Sequence, residues 1–338
     1  MSLHHPTVAI VGATGAVGGE LIACLEQRDF PLERLRLFAS SRSAGRKLLF
    51  RGEGIAVEEL NEDSFPGVDI ALFSAGGSTS RRFAPIAVRQ GAIVVDNSSA
   101  FRMEPGVPLV VPEVNAAAIA KHIGIIANPN CVAIVAVVPL WPLHRHTPIG
   151  RVIAATYQAA SGAGAAAMEE LRASTVAYLG GAEYQHRVLA HPYAFNLFSH
   201  DTKVDPATGY NEEETKVMRE LRKIMDQPQL RVGITCVRVP VLRAHCIALT
   251  VEFERPVAPE QAREVLVSAP GIRIVDDIAD NHFPMPIEAS GQDDVLVGRI
   301  RQDASDPSGR SLSLFVAGDQ LLKGAALNAV QIAERLVA

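Results

Sequence analysis

The chain has 338 residues, 48% of them hydrophobic and 20% charged, which excludes a disordered protein and leaves enough apolar material for two domains. Its 32 Lys and Arg residues against 37 Asp and Glu give a formal charge of −5, so a nucleic-acid partner is not expected. The most apolar stretch, residues 131–143, is too short to cross a bilayer. We expect a cytoplasmic protein with no membrane partner, because the amino terminus also lacks the pattern of a signal or transit peptide.

The first predicted unit is a strand, a glycine-rich loop and a helix. Residues 7–11 are apolar and partly β-branched, the loop carries glycines at 12, 15 and 18, and residues 20–27 have a helical pattern. This order places backbone N–H groups at a helix amino terminus, where the pyrophosphate of a dinucleotide binds. The spacing is GxxGxxG instead of GxGxxG, so a plain tight turn is the alternative. The candidate cofactor-binding residues of the loop are Gly12, Ala13, Thr14, Gly15, Ala16 and Val17.

The second strand, residues 35–39, leads into a polar turn that indicates the type of cofactor. This turn has no carboxylate near its start, where an NAD-binding unit usually carries one for the ribose 2′-hydroxyl. An arginine there can donate paired hydrogen bonds to a 2′-phosphate, and serine hydroxyls can add neutral ones. The turn therefore predicts NADP, with an ordinary solvated turn as the alternative. Its candidate residues are Ser40, Ser41, Arg42 and Ser43.

Three more strands follow at α/β spacing and predict a parallel, doubly wound, Rossmann-like sheet. They cover residues 68–73, 92–96 and 124–127, with helices over residues 80–90 and 115–121. Polar turns follow two of these strands, and one of the turns begins at Ser74. Because ligands bind at the carboxyl ends of the strands in such sheets, we expect both turns to line the cofactor cleft or the substrate site.

Cys131 is the best candidate for a nucleophile. It follows a strand and the turn Asn128-Pro-Asn, and it stands at the start of an apolar helical run. The positive end of a helix dipole favours the thiolate over the thiol. The other three cysteines, Cys24, Cys236 and Cys246, lie in apolar helix or strand patterns and are interpreted as structural. Their spacing indicates neither a disulfide framework nor a metal site.

The rest of the chain predicts a second domain with a mixed sheet. Strand patterns cover residues 151–158, 230–239, 246–254 and 312–317. The last helix, residues 324–338, is expected to return to the first domain. We place the cofactor-binding domain at residues 1–131 and 324–338, and the second domain at residues 132–323.

Separated motifs along nearly the whole chain resemble those of the aspartate-semialdehyde dehydrogenases, in family order. They lie at residues 12–18, 41–45, 97–102, 111–115, 128–131, 156–159, 161–164, 237–241 with His245, 318–326 and 328–331. The resemblance implies a glyceraldehyde-3-phosphate dehydrogenase-like fold, in which a Rossmann-like domain is joined to an α+β catalytic and dimerisation domain. It also implies a homodimer or homotetramer.

The family resemblance implies a reversible reaction that depends on NADP. In it, L-aspartate 4-semialdehyde and phosphate form L-4-aspartyl phosphate through a thioacyl intermediate on the cysteine. A cell would run it in the reductive direction, toward lysine, diaminopimelate, threonine and methionine. The chemistry agrees with a cysteine nucleophile, because a hemithioacetal can give up a hydride and the resulting thioester can be attacked by phosphate.

The resemblance also assigns roles to individual side chains. Cys131 is the nucleophile, His245 the acid/base residue and Gln158 the residue that orients the substrate. The residues assigned to substrate or phosphate binding are Arg238 for the α-carboxylate, Glu213 for the amino group, Arg102 with Lys216 for phosphate, and Asn130. Gly162 and Asn328 are assigned to the cofactor. Glu212 and Glu214 flank Glu213, so the register can slip by one, and residues 212–216 can also be an ordinary charged helix face.

Two departures from the family pattern and one spacing leave alternatives open. Val132 stands where the family usually has a hydroxyl residue, and two prolines at 139 and 142 predict a short or kinked helix. Arg238 and His245 are an odd number of residues apart, so they converge only if the chain turns near Pro240. The alternatives are an N-acetyl-gamma-glutamyl-phosphate reductase, or a non-catalytic NADP-binding paralogue.

Overall fold

The computed structural model describes residues 4–337, which form two compact units. One unit comprises the described residues up to Asn130 together with those from Ala325 onward, and the other is Cys131–Gly324. The chain thus passes between the units after Asn130 and after Gly324, whereas the sequence places these boundaries after residue 131 and before residue 324. Within residues 4–337, no helix is both long and apolar enough to cross a membrane.

The first unit contains a seven-stranded sheet of order β3-β4-β2-β1-β5-β6-β7. Its strands are β1 (Thr7–Val11), β2 (Arg34–Ala39), β3 (Lys47–Phe50), β4 (Glu53–Glu59), β5 (Ile70–Phe73), β6 (Ile93–Asp96) and β7 (Ile125–Ala127). All neighbours are parallel except β3, which pairs antiparallel with β4. The expected Rossmann-like sheet is confirmed, with an edge hairpin that the sequence analysis missed. Its two turn residues, Arg51 and Gly52, both have positive φ, as in the tight turns that suit twisted hairpins.

Helices cover the sheet of the first unit. They are α1 (Ala16–Gln27), α2 (Gly77–Arg89), α3 (Pro112–Asn115) and the C-terminal helix (Leu327–Val337). Short 3-10 helices lie at Ser41–Ser43 and Ala116–Lys121, the second in place of most of the helix predicted over residues 115–121. Strand β5 is buried at every position, as is typical of a parallel strand with helices on both faces. This burial explains why the central strands are continuous apolar runs.

The second unit contains a mixed sheet, as predicted, of order β12-β13-β14-β11-β8-β10-β9. Its strands are β8 (Ile149–Gln158), β9 (Phe198–Ser199), β10 (Arg231–Arg238), β11 (His245–Phe253), β12 (Ile272–Ile274), β13 (Val295–Gln302) and β14 (Ser311–Gly318). The sequence analysis did not predict β9, β12 or β13. Along β8 exposure alternates, and Ile153 and Tyr157 are about two-fifths exposed. One face of the sheet is therefore open and partly apolar.

The opposite face of this sheet carries helix α4 (Cys131–His146). The other helices of the unit are α5 (Ala165–Leu179), α6 (Glu212–Ile224), α7 (Pro259–Val267) and α8 (Pro286–Ala289). Helix α4 is apolar on all sides over residues 131–143, because it contacts α6 and α7 as well as four strands. It runs for 16 residues through Pro139 and Pro142, so the expected shortening is wrong. Burial of every residue from 132 to 140 offsets the hydrogen bonds that the two prolines remove.

Candidate active site

The glycine loop of the first unit is built for close backbone approach. Gly12 has φ +91°, and its backbone N–H donates to the carbonyl of Phe38 at 2.8 Å. A Cβ on Gly12 would lie 2.4 Å from the carbonyl oxygen of Ser74, and one on Gly18 would lie 2.3 Å from the carbonyl oxygen of Gly12. Only glycine allows the turn and the helix to pack this closely. The loop therefore presents the amino terminus of α1, which begins at Ala16, as an open cradle that fits a pyrophosphate.

The candidate 2′-phosphate residues lie directly after β2. Ser41–Ser43 form one turn of 3-10 helix, Arg42 is exposed, and the hydroxyl of Thr14 donates to that of Ser43 at 3.4 Å. The turn thus lies beside the glycine loop within the first unit. Ser74 follows β5, the strand that neighbours β1, and its backbone N–H donates to Val11. The structure brings these predicted cofactor residues together at the carboxyl ends of the parallel strands.

Arg102 is anchored in the first unit by backbone carbonyls. Its side chain is buried, and it donates from Nε to the carbonyl of Asn128 at 2.9 Å and from Nη2 to that of Asn97 at 2.8 Å. Asn328 is fully buried, and its amide donates to the side-chain oxygen of Asn128 and to the carbonyl of Val110. Asn328 therefore holds Asn128, whose carbonyl accepts the hydrogen bond from Arg102, while its predicted contact with the cofactor stays a prediction.

The nucleophile candidate lies where a helix begins. Cys131 is the first residue of α4 and is partly exposed, and it directly follows the buried Asn130. A Cβ on Gly324 would lie 3.0 Å from the Cβ of Cys131, so glycine at 324 lets the chain pass close to the nucleophile. Val132 is fully buried, which suits a valine better than a hydroxyl that would need a partner.

Three predicted residues come together at the end of β8. Gln158 is the last residue of β8, and on the parallel neighbour β10 it is paired with Arg238. On the antiparallel neighbour β11, Cys246 is paired with Tyr157 of β8. His245, the next residue along, therefore lies opposite Gln158. The chain turns between β10 and β11 with φ +72° at Ala244, which produces the convergence that the odd spacing required. All three side chains are buried, at 5% exposure or less.

Helix α6 begins with three glutamates, and one of them contacts Gln158. Glu213 Oε1 accepts a hydrogen bond from Gln158 Nε2 at 3.3 Å. Glu214 is occupied by a capping box with Asn211 and by the backbone N–H of Cys236, and Glu212 is exposed. Of the three glutamates, Glu213 is therefore the one that contacts Gln158. Lys216 follows one turn later on the same face of α6 and is about one-third exposed.

The protonation of His245 is fixed by its surroundings. Its Nδ1 accepts a hydrogen bond from the backbone N–H of Ala159 at 3.0 Å, so the neutral imidazole carries its proton on Nε2. Complete burial, and then the charges of Arg238 and His200, hold the pKa of His245 well below its usual value of 6.5. In this tautomer Nε2–H is a hydrogen-bond donor, and the acid/base role of His245 stays a prediction.

Two nitrogen atoms at this position are buried without a protein partner among residues 4–337. They are Nε2 of His245 and Nη1 of Arg238. A Cβ on Gly162 would lie 3.0 Å from the first and 3.3 Å from the second, so both nitrogens face the same small space in front of Gly162. Buried donors are normally paired, so these two nitrogens are candidates for binding the oxygens of a ligand. Gly162, predicted as a cofactor residue, has no side chain that would fill this space.

Sequence reasoning missed the groups that hold this set in place. They include the backbone N–H of Ala159, the hydroxyl of Thr156, which donates to Gln158 Oε1 at 3.0 Å, and Asp201, which lies 3.3 Å from Arg238 Nε. The sequence carries no local signal for Asp201, because its partner is 37 residues away.

Comparisons with known proteins agree with this architecture. The NAD binding domain of the semialdehyde dehydrogenase family matches residues 7–122, and the dimerisation domain of that family matches residues 140–323. A protein of Synechocystis sp. named aspartate-semialdehyde dehydrogenase is 54% identical over 98% of this chain and 97% of its own length. One of the same name from Bacillus subtilis is 46% identical over 97% and 96%.

A solved structure gives the same result for the fold. Aspartate semialdehyde dehydrogenase II of Vibrio cholerae, complexed with ASA, superposes with a TM-score of 0.95 at 42% identity and 99% coverage of both chains. A similar structure from Pseudomonas aeruginosa, described as a probable aspartate-semialdehyde dehydrogenase, has a TM-score of 0.92 at 31% identity. The chain therefore belongs to the aspartate-semialdehyde dehydrogenase family.

Proposed function

We propose that the protein is an NADP-dependent aspartate-semialdehyde dehydrogenase that reduces L-4-aspartyl phosphate to L-aspartate 4-semialdehyde and releases phosphate, in a reversible reaction. The observation that carries this proposal is the pair of unpaired, buried donors, Arg238 Nη1 and His245 Nε2, that face one space in front of Gly162. A guanidinium suits a carboxylate, and an imidazole N–H suits an oxygen that gains negative charge. The substrate carries both of these groups.

Recognition of the α-amino acid end is assigned to three residues of the second unit. Arg238 binds the α-carboxylate through its unpaired nitrogen. Glu213, which lies against Gln158, binds the ammonium group. Gln158 in turn orients the reacting end, because Thr156 and Glu213 fix both ends of its amide. A zwitterionic amino acid matches this set better than an acetylated one.

Cys131 supplies the covalent step. In the reductive direction its thiolate attacks the acyl carbon of the substrate, the C–O bond to phosphate breaks, and a thioester forms. When bound, the nicotinamide cofactor supplies the hydride that reduces this thioester. The carbonyl electrons move to oxygen, where His245 Nε2–H donates a hydrogen bond to the developing charge. The oxyanion then re-forms the carbonyl, and the sulfur leaves as thiolate with the aldehyde released.

The proposed sites for the cofactor and for phosphate consist of a helix amino terminus and of cationic side chains, which attract phosphate groups. Gly12, Gly15 and the start of α1 are the proposed pyrophosphate site, and Arg42 with its serine neighbours is the proposed site for the 2′-phosphate that distinguishes NADP from NAD. Arg102 and Lys216 are the proposed cations for the transferred phosphate.

The assembly and location are also proposed. The open, partly apolar face of β8 supports a dimer, or a tetramer built from it, and the matching dimerisation domain is in line with this. Cys131 must stay reduced to act, which supports the cytoplasm.

One assay tests the proposed function. The protein is incubated with NADP and phosphate, and with either L-aspartate 4-semialdehyde or N-acetyl-L-glutamate 5-semialdehyde, while absorbance of the reduced nicotinamide is followed. We expect a phosphate-dependent rate with the first substrate only, because acetylation removes the charge that Glu213 meets. A preference for the second substrate would indicate an N-acetyl-gamma-glutamyl-phosphate reductase. NADP binding without reduction on either substrate would indicate a non-catalytic paralogue.

A further inference from the structure

The segment His200–Thr202 begins the connection from β9 to α6 and has no role in the mechanism above. It is fixed to the end of β10, because Phe198 pairs with Arg238 and the backbone N–H of His200 donates to the carbonyl of Cys236 at 2.9 Å. The segment therefore lies beside the strand end that carries Arg238.

Asp201 contacts the guanidinium of Arg238. Its Oδ1 lies 3.3 Å from Arg238 Nε, and the side chains of Asp201 and Arg238 are 20% and 6% exposed. A guanidinium is a rigid planar fork, so holding Nε fixes the direction in which the other nitrogens point. Among residues 4–337, the buried Nη1 of Arg238 has no hydrogen-bond partner, and it lies on the side of Gly162. Asp201 thus sets the orientation of the nitrogen that is open to a ligand.

Thr202, the next residue, supports the other recognition group. Its Oγ1 accepts a hydrogen bond from the backbone N–H of Glu213 at 3.2 Å and lies 3.2 Å from His200 Nδ1. The N–H of Glu213 belongs to the first turn of α6, where intrahelical acceptors are lacking. Thr202 therefore fixes the position of Glu213 along the helix start.

Two adjacent residues thus hold the two side chains that meet opposite charges of an α-amino acid. We propose that Asp201 and Thr202 are positioning residues that set the selectivity for a substrate with a free α-carboxylate and a free α-ammonium group. This proposal rests on the proposed function. It requires neither residue to touch the substrate, since Asp201 acts through Arg238 and Thr202 acts through Glu213.

The first experiment measures steady-state kinetics of Asp201→Asn, which keeps the shape of the side chain and removes its charge. We expect the KM for L-aspartate 4-semialdehyde to rise about tenfold, the effect of a weakened charge-assisted contact, while kcat changes by less than about threefold. The KM for NADP should be unchanged. An unchanged substrate KM would overturn the role of Asp201, and so would equal losses in kcat and in NADP affinity, which indicate structural damage.

The second experiment asks whether Asp201 acts through Arg238. Asp201→Asn is combined with Arg238→Lys in a double-mutant cycle, because lysine keeps the charge but cannot be oriented as a fork. We expect the effect of Asp201→Asn on KM to fall to about twofold or less in the Arg238→Lys background. Additive effects would overturn the coupling.

The third experiment tests Thr202 with a rescue. Thr202→Val removes the hydroxyl at nearly constant shape and should raise the substrate KM about threefold, the cost of a neutral hydrogen bond. Thr202→Ser keeps the hydroxyl and should restore the original KM. Equal effects of valine and serine would overturn the role of Thr202. In all three experiments a wild-type protein without phosphate-dependent turnover would overturn the proposed function itself, which separates that failure from failure of the positioning role.

Discussion

Among the described residues, the buried side-chain polar atoms that lack a hydrogen-bond partner all belong to the second unit. In the first unit, the fully buried carboxylate of Asp96 accepts hydrogen bonds from the hydroxyls of Ser80 and Ser98, both at 2.7 Å, and from the N–H of Ser98. In the second unit, Arg238 Nη1 and His245 Nε2 are buried without a partner among the described residues. A satisfied network fixes backbone turns, whereas unpaired donors cost free energy until a ligand pairs them. The first unit therefore has a satisfied polar network beside its glycine loop, and the second has two buried donors that we propose the substrate pairs.

The largest effect is expected at Cys131, since it forms the covalent bond. Cys131→Ala should lower turnover by at least about 10⁴-fold, as removal of a nucleophile does, while NADP affinity stays the same because the proposed cradle lies in the other unit. Steady-state rates measure turnover, and titration with the cofactor measures NADP affinity. Cys24→Ala, at a buried cysteine of the first unit, is the control and should keep its activity. A substantial residual rate in Cys131→Ala would remove this cysteine from the mechanism.

The second prediction separates a donor from a base at His245. Glutamine can place an N–H near the position of Nε2, whereas asparagine and alanine cannot reach it. His245→Ala and His245→Asn should lose about 10²- to 10³-fold in kcat, the cost of one oxyanion donor, and His245→Gln should lose at least about tenfold less than either.

The pH dependence sharpens the same prediction. Burial and the neighbouring charges of Arg238 and His200 keep the pKa of His245 well below 6.5, so the imidazole stays neutral from pH 6.5 upward. Its titration should then leave kcat unchanged between pH 6.5 and 8. Equal losses in all three variants, or a step in kcat near pH 6.5 that His245→Gln abolishes, would favour a general base.

The third prediction concerns the cradle of the first unit. Arg42→Ala should weaken NADPH binding by about 1.5 to 3 kcal/mol, the range for a charge-assisted hydrogen bond, and change NADH binding little. Fluorescence titration with both cofactors measures the difference, and Arg46→Ala, at an exposed neighbour of the same turn, is the matched control. Equal losses for NADPH and NADH in Arg42→Ala would mean that Arg42 does not contact the 2′-phosphate.

The smallest effect is expected from a single methyl group added at Gly162, beside the two unpaired nitrogens. Gly162→Ala should raise the substrate KM or lower kcat by about tenfold, because its Cβ fills the space in front of the unpaired donors and overpacking typically costs 1–3 kcal/mol. NADP affinity should not change. Gly233→Ala, on β10 with nothing within 4 Å of the added Cβ, should behave like the unmodified protein. A loss of cofactor affinity with normal substrate kinetics would place Gly162 at the cofactor instead.

The contrast between the units also explains what the sequence could predict. The glycine loop is made by consecutive residues and backbone groups, so residues 12–18 together with the flanking strand and helix are enough to identify it. The convergence of Gln158, Arg238 and His245 depends on strand register across β8, β10 and β11, which residue patterns do not encode. Those three residues were found through family motifs, and Asp201 and the proton position on His245 required coordinates. The hairpin turn at Arg51 and Gly52 was missed because only the second residue carries a turn signal.

The most direct test is a crystal structure of this chain with L-aspartate 4-semialdehyde bound. We expect the α-carboxylate within about 3 Å of Arg238 Nη1, and the aldehyde or hemithioacetal oxygen within about 3 Å of His245 Nε2, as hydrogen bonds require. The reacting carbon should lie at Cys131 Sγ. A substrate whose oxygens bind elsewhere, with both nitrogens still unpaired beside Gly162, would contradict the proposed roles of Arg238 and His245.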